Sequence, residues 1–507
     1  MINKIVDFNS IERIINDQKR KKKKIVLCHG VFDLIHYGHI LYFNSAKKFG
    51  DILVVSVTPS KFVNKGLGRP YYNDIQRLSF LSNLSIIDYV VLNTRHNAID
   101  IIQKIRPHIY CKGPDYKKIK KDLTGEIKKE IAEVKKYKGK VITTKDISFS
   151  SSKIINDLGG VYNKEQALFI ENLRKDFNKS EFDNLLKKIE KLKILVIGEI
   201  IIDKYIFSES VGKSGKEHHL VTRAINQKLY LGGTGSIANH ISGFCQKVTV
   251  VSAIGHNRKH LKFIKNKLSK NISLNLIYKK DSPTIEKVRY LDKITNNKLL
   301  GVYDLNDDSL NRNQVIEFKK IIYKNIKKNN IIIVSDYGHG LISKKIAKLI
   351  CDKSKFLSLN SQLNAFNIGH HSINKYSNIN FLIINEGELR HELREKNLKV
   401  ELLIKRISKD LSIDHVIVTR GKNGSVYFSI KNNSFFYCPA FASKVVDKVG
   451  AGDTMLSIMS LLIYIKFPIK IAMFLGSLAA AQSVETISNS LKLDKIRLIK
   501  YALHMLK

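Results

Sequence analysis

Residues 25–39 read IVLCHGVFDLIHYGH. An apolar run from Ile25 to Cys28 reads as a buried strand, Gly30 turns the chain, and the segment after it carries helical spacing. A second apolar strand, DILVVSVT, begins at Asp51 and completes a β-α-β start. The alternation continues: a helix after Asn73, a strand at 88–92, a helix at 98–105, a strand at 108–112, a charged helix, and a strand at 140–144. Strands alternating with helices predict a parallel sheet covered on both faces.

This first unit is expected over 24–165, after a basic N-terminal arm at 1–23. Residues 166–190 have helical spacing, many charges and no glycine, and are expected to form a helical linker. At Ile194 the run ILVIGEIIID opens a second α/β unit, expected over 191–507, with later strands at 247–254, 330–335, 381–384 and 415–419. No internal repeat relates the halves. The expected class is α/β, two different domains in tandem.

The chain has 507 residues, 44% of them hydrophobic, which suits folded globular domains and excludes a disordered one. Its 87 Lys and Arg against 45 Asp and Glu give a net charge of +42. Such a charge could seek nucleic acid, but the lysines are spread along a chain also rich in Ile and Asn, as an AT-rich genome would produce. A nucleic-acid partner is therefore not expected. Five scattered cysteines with no CxxC exclude a disulfide frame and suit a reducing cytoplasm. The apolar stretch 455–484 is broken by Lys466, Pro468 and Lys470, so a pair of buried helices is expected there and no membrane span.

In the opening segment His36 and His39 lie three apart at the start of the first helix, where they share a face. Gly38 would let a phosphate approach, and the helix N-terminus offers N–H groups to an anion. Two imidazoles there could donate to the charge that grows on a pentavalent phosphorus; a zinc site or a helix cap are the alternatives. On Gly30, Phe32, Asp33, His36 and His39 the segment resembles the cytidylyltransferase-like nucleotidyltransferases and their HxGH motif, over about residues 24–160. That resemblance implies a Rossmann-like domain in which His36 and His39 are catalytic. It further implies that Gly30, Phe32, Asp33, Lys65 and Arg69 (in KGLGRP, followed by Arg77), Lys112 (in KGPDY) and Ser150, Ser151 and Ser152 surround the nucleotide.

A second constellation is VDKVGAGDT at 446–454. Gly450, Ala451 and Gly452 would expose backbone N–H groups at a helix start, a hole for the γ-phosphoryl charge, and Asp453 could accept the proton of an attacking hydroxyl. Together with Gly232-Gly233, SDYGHG at 335–340, NEGE at 385–388 and TRGKNG at 419–424, this order resembles the ribokinase-like carbohydrate kinases over about 191–507. The resemblance implies that Asp453 is the base. By it Asp203, Gly233 and Asn239 face the sugar, Asn385 and Glu388 hold Mg2+ through water, and Thr419, Gly421 and Gly424 flank ATP. Three departures fall on sugar-side or intermediate positions: Glu199 where many relatives have Asp, Ser236 where Asn is frequent, and Asn360-Ser361-Gln362 where many read Asp-Pro-Lys.

A sugar kinase and a nucleotidyltransferase on one chain are similar to the bifunctional heptose 7-phosphate kinase/heptose 1-phosphate adenylyltransferases, here in inverted order. The resemblance implies phosphorylation of D-glycero-D-manno-heptose 7-phosphate at C1, then ADP-heptose formation, in a cytoplasmic homodimer acting on a sugar phosphate and a nucleoside triphosphate. The alternatives are a glycerol-3-phosphate-type cytidylyltransferase fused to another sugar kinase, or a nucleic-acid binder on old enzyme folds.

Overall fold

The computed structural model describes residues 4–63, 69–113, 126–144, 162–364 and 366–506. Two compact units emerge: Met1–Ala167 with Ile499–Lys507, and Leu168–Leu498.

The first unit holds one parallel sheet of six strands, β1 (Ile5–Val6), β2 (Ile25–Gly30), β3 (Ile52–Val57), β4 (Tyr89–Leu92), β5 (Ile109–Lys112) and β6 (Lys140–Thr143), in the order β1-β4-β3-β2-β5-β6. Alternate residues of the central strands feed two cores: Val26, Cys28, Leu53 and Val55 on one face, Ile25, Leu27 and Val54 on the other. That two-sided burial explains the unbroken apolar runs. The chain reverses its direction of travel across the sheet between β2 and β5, the switch point at whose carboxyl ends, here Gly30 and Lys112, open α/β sheets generally take ligands.

Residues 4–23 correct one expectation. Instead of a basic arm they form β1 and a helix, Ile11–Arg20, whose Ile11 and Ile15 are fully buried. The apolar stripe is only two isoleucines deep, and the lysines around it hid it. Lys19 itself is tied down, its ammonium donating to the carbonyls of Ile105 and Arg106 at 2.8 Å each.

The second unit begins, after helices Lys164–Asp176 and Lys179–Glu190, with β7 (Lys193–Gly198), β8 (Ile200–Lys213), β9 (Leu220–Gly232), β10 (Lys247–Gly255), β11 (Ile272–Lys279), β12 (Glu286–Asp292) and β13 (Lys298–Asp304). It continues with β14 (Ile331–Asp336), β15 (Leu357–Ser361), β16 (Ile379–Asn385), β17 (Ile413–Thr419), β18 (Ser425–Ser429) and β19 (Ser434–Cys438). Nine strands form the main sheet, β11-β10-β7-β14-β15-β16-β17-β18-β19, parallel up to β17 and antiparallel after it. Four others make a smaller sheet, β13-β12-β8-β9. Helices Ala451–Tyr464 and Ile469–Val484 are buried along nearly their whole length, the pair expected at 455–484. No described helix is long and apolar enough to cross a membrane.

Candidate functional sites

In the first unit, β2 ends at Gly30 and the helix Tyr37–Lys47 starts with His36 as its extended N-cap. The rings of His36 and His39 face each other, centroids 4.0 Å apart, and the edge of Phe32 packs on His39 at 5.6 Å. Phe32 holds a left-handed backbone, φ 48°, that lays its ring over Gly30: a Cβ there would sit 3.0 Å from Phe32 Cζ. This accounts for the Gly-x-Phe spacing as a device that sets the second histidine.

Other residues expected at the nucleotide have structural partners. Buried Asp33 accepts from the Tyr72 N–H at 3.0 Å and from Arg69 Nη1 at 3.3 Å, which pins the segment from Arg69 onward to the histidine motif. Arg77 is fully buried and donates to the carbonyls of Val31, Thr58 and Tyr72, so it clamps the ends of β2 and β3 and is scaffold. Lys112, at the end of β5, pairs with buried Glu130 at 3.0 Å. Burial pushes the Glu130 carboxyl up, but Lys112 and the Ala98 N–H hold it below the ordinary value. Lys65, Ser150, Ser151 and Ser152 lie outside the described residues.

In the second unit the helix Ala451–Tyr464 starts behind Gly450, whose φ is 90°; a Cβ there would also meet Asn489 Oδ1 at 2.1 Å, so only glycine fits. Asp453 lies in the first turn and accepts from the Tyr337 hydroxyl at 2.9 Å. Burial pushes its carboxyl up to about 7, the Tyr337 bond working against the shift and the charges of Asp203 and Glu388 adding to it. Those carboxylates are thus close enough for Asp453 to feel them. A base with a pKa near neutrality suits general-base work.

Asp203, on β8, pairs with Arg289 at 2.5 Å, and its carboxylate abuts Gly232. Lys287 and Arg289, two apart on β12, share the face of the small sheet that carries Asp203. Lys287 lies beneath the rings of Tyr303 and Tyr337, 5.4 and 5.9 Å from their centroids, and burial lowers its pKa. At the carboxyl ends of β16 and β17, Asn385 stands opposite Thr419, and Gly421 and Gly424 make the turn that follows. Asn385 and Glu388 form a capping box, the Glu388 carboxylate accepting from the N–H groups of Asn385 at 3.0 Å and Leu363 at 3.3 Å. Burial pushes the Glu388 carboxyl up, so a cation beside it would be welcome. Among the described residues no cluster of three metal-ligating side chains exists.

Asn239 departs from its expected place. Its amide donates to the Lys267 carbonyl at 3.0 Å and accepts from the Ser269 N–H at 3.0 Å, and so braces that loop. The sequence departures are absorbed locally. Glu199 accepts from the N–H groups of Tyr337 and His339, at 3.1 and 3.2 Å, and holds the SDYGHG turn; burial and then the Asp336 charge push its carboxyl up to about 7. Ser236 bonds His240 at 3.1 Å. With Gln at 362, the cation beside Asp336 is Lys375, at 2.6 Å. Reasoning from sequence named Glu199 as a departure and Tyr337 within SDYGHG without giving either a role, and it missed Lys287, Arg289 and Lys375 altogether. Only Lys287 and Arg289 carried a signal, two cations at strand spacing in EKVRYLD.

A buried aspartate behind a glycine turn is the arrangement expected of a carbohydrate kinase. Residues 191–496 match the model of the pfkB family carbohydrate kinases, more than half of the chain, and the chain belongs to that family. Residues 27–157 match the cytidylyltransferase-like model. Over 142 residues the chain is 37% identical to "Bifunctional protein HldE" of a Nitratiruptor species, covering 27% of this chain and 30% of that protein. Over 315 residues it is 26% identical to the protein of that name from Campylobacter jejuni, covering 61% and 65%. These matches span less than two thirds of the relatives' own length. The Escherichia coli phosphofructokinase-2 crystal structure superposes with a TM-score of 0.50 at 13% identity, over 62% of this chain and all of that one, which supports the fold.

Proposed function

We propose that the chain makes a nucleotide-activated sugar in two steps, phosphorylating a sugar phosphate at C1 with ATP and then transferring a nucleotidyl group to the sugar 1-phosphate. The specific reading, from the bifunctional relatives, is D-glycero-D-manno-heptose 7-phosphate to the 1,7-bisphosphate and, once a separate phosphatase has hydrolysed the C7 ester, heptose 1-phosphate to ADP-heptose. The observation that carries it is Asp453, a buried carboxyl near neutral pKa at the N-terminus of a helix opened by Gly450.

In the first step Asp453 takes the proton of the C1 hydroxyl while its oxygen bonds the γ-phosphorus and the bond to ADP breaks. The N–H groups of Gly450, Ala451 and Gly452 receive the phosphoryl charge. Asp203 and Gly233 hold the acceptor, with Arg289 paired to Asp203, and Thr419, Gly421 and Gly424 border the nucleotide. Mg2+ fits beside Asn385 and Glu388, where it would neutralise phosphate charge. In the second step the anomeric phosphate attacks the α-phosphorus and pyrophosphate leaves; His36 and His39 donate to the crowded phosphorus, with Gly30 and Phe32 setting their geometry.

The test is incubation with ATP, magnesium and a panel of sugar phosphates, with mass spectrometry of the products. Heptose 1,7-bisphosphate is expected from heptose 7-phosphate, and ADP-heptose with pyrophosphate from separately supplied heptose 1-phosphate, because neither step removes the phosphate at C7. No phosphorylation of heptose 7-phosphate would sink the substrate reading. Efficient CTP use with a poor ATP reaction would move the first unit to a cytidylyltransferase.

A further inference from the structure

The small sheet that carries Asp203 and the turn that carries Asp453 are fastened together at one carboxylate. Asp447 lies three residues before Gly450 and is only 6% exposed. Its Oδ2 accepts from the Tyr205 hydroxyl at 2.7 Å and from the Ser488 N–H at 3.1 Å. Its Oδ1 accepts from Lys298 Nζ at 2.7 Å and from the Val449 N–H at 3.2 Å. Tyr205 belongs to β8 and Lys298 opens β13, so two strands of the small sheet converge on one loop residue.

Tyr205 stands two residues beyond Asp203 on the same strand face, a separation of about 7 Å. From Asp203 to Gly450 the route through this carboxylate is therefore two residues of strand, one hydrogen bond and three residues of turn. Along the chain the same two points are more than two hundred residues apart. One side chain thus bonds the small sheet and the turn that leads to Gly450 at the same time. Tyr205 is itself fixed: it is fully buried, meets Tyr230 edge-on at 5.5 Å and has the Arg289 guanidinium over its ring at 5.5 Å. Lys298 differs, for its side chain is 42% exposed and it reaches in from an edge strand. An ion pair with so exposed a partner adds little stability. Its effect is geometric, since it forms only with the sheet down on the turn.

We propose that Asp447 is a positioning residue, a strap that sets the spacing between the acceptor-binding face of the small sheet and the phosphoryl-transfer turn, with Lys298 and Tyr205 as its two fastenings. It rests on the reading of Asp453 as base and Asp203 as acceptor contact. A displacement of about 1 Å at such a spacing can cost on the order of 10²-fold in rate, and sheets that close over substrates commonly govern turnover.

The test uses the full chain with Lys298→Met, Tyr205→Phe and Asp447→Asn, the first two covering the case that the buried substitution misfolds. Hydrogen–deuterium exchange of peptides from 200–208 and 286–304 should quicken about tenfold in Lys298→Met while β7 and β14 stay unchanged. With ATP and heptose 7-phosphate, kcat should fall about 10–100-fold and KM for ATP should hold within about twofold. Lys298→Met should cost nothing further in the Asp447→Asn background. Unchanged exchange in the small sheet, additive costs of the two substitutions, or quickened exchange with normal kcat would each overturn the strap. A wild type that leaves heptose 7-phosphate untouched would overturn the substrate reading instead, because the exchange comparison needs no substrate.

Discussion

Both candidate sites lie at a helix N-terminus, yet one is furnished with two imidazoles and the other with a carboxylate. The helix Tyr37–Lys47 begins behind His36 with His39 one turn in, and the helix Ala451–Tyr464 begins behind Gly450 with Asp453 in its first turn. The shared feature answers a shared need, since each proposed reaction loads negative charge on phosphorus and a helix N-terminus is the positive end of the helix dipole. The difference follows from the proposed acceptors. A sugar phosphate is already an anion and needs no base, so its site can concentrate on donors. A hydroxyl must lose a proton, and the second site offers the Asp453 carboxylate to take it.

The sharpest way to break this contrast is Asp453→Asn, which keeps size and turn but removes the proton acceptor. Phosphorylation should fall about 10²–10⁴-fold or beyond, measured as ADP release with the sugar phosphate. Nucleotidyl transfer to supplied sugar 1-phosphate should continue at the wild-type rate and rescue final product. If the variant phosphorylates normally, Asp453 is a helix residue and no base.

The reciprocal change is His36→Ala or His39→Ala. Each should cut pyrophosphate release about 10²–10³-fold, the usual effect of losing one transition-state donor, with phosphorylation untouched. Wild-type transfer rates in either variant would dissolve the contrast from the other side, and loss of bound zinc with activity kept would identify a metal site.

A pH profile sharpens the comparison without mutation. Because Asp453 titrates at about 7, phosphorylation should drop about tenfold per pH unit below that value. The same raised pKa bears on stability: the fold favours the protonated carboxyl, a contribution complete below the ordinary value of 3.8 and lost as pH rises through about 7. Glu199, raised to about 7, has the same sign. Melting temperature should therefore decline from pH 5 to 8, less steeply in Glu199→Gln; an equal slope in that variant would remove Glu199 from the account.

The two halves were unequally legible in sequence. Gly30 to His39 forms one contiguous segment whose neighbours in sequence are its neighbours in space, so the paired histidines could be read directly. The GAGD turn was legible for the same reason. Its surroundings were not: Tyr337, Lys287 and Glu199 reach Asp453 or one another from strand ends scattered over more than two hundred residues. Lys375 pairs with Asp336 from thirteen residues beyond Gln362, a contact visible only after folding. The N-terminal helix was missed because Ile11 and Ile15 are a two-residue stripe among charges, too short for periodicity to register.

Tyr337 offers the finest test, because its hydroxyl touches the base without being able to replace it. In Tyr337→Phe the ring keeps its place and the backbone N–H still donates to Glu199, so the SDYGHG turn should stand. What disappears is the 2.9 Å bond to Asp453 Oδ1. A donor favours the ionised carboxylate, so its loss should raise the Asp453 pKa further. One pKa unit is about 1.4 kcal/mol, within what a hydrogen bond to a charged group is worth. The acid limb of the phosphorylation profile should thus move up by about one unit. At pH 7 that leaves a loss of several-fold, while at pH 9 the rate should return close to wild type. A limb that stays in place would show that the hydroxyl does not tune the base. A plateau at pH 9 as low as that of Asp453→Asn would make the tyrosine, and not the carboxylate alone, part of the proton-accepting machinery, and the two helix N-termini would then differ by more than one group.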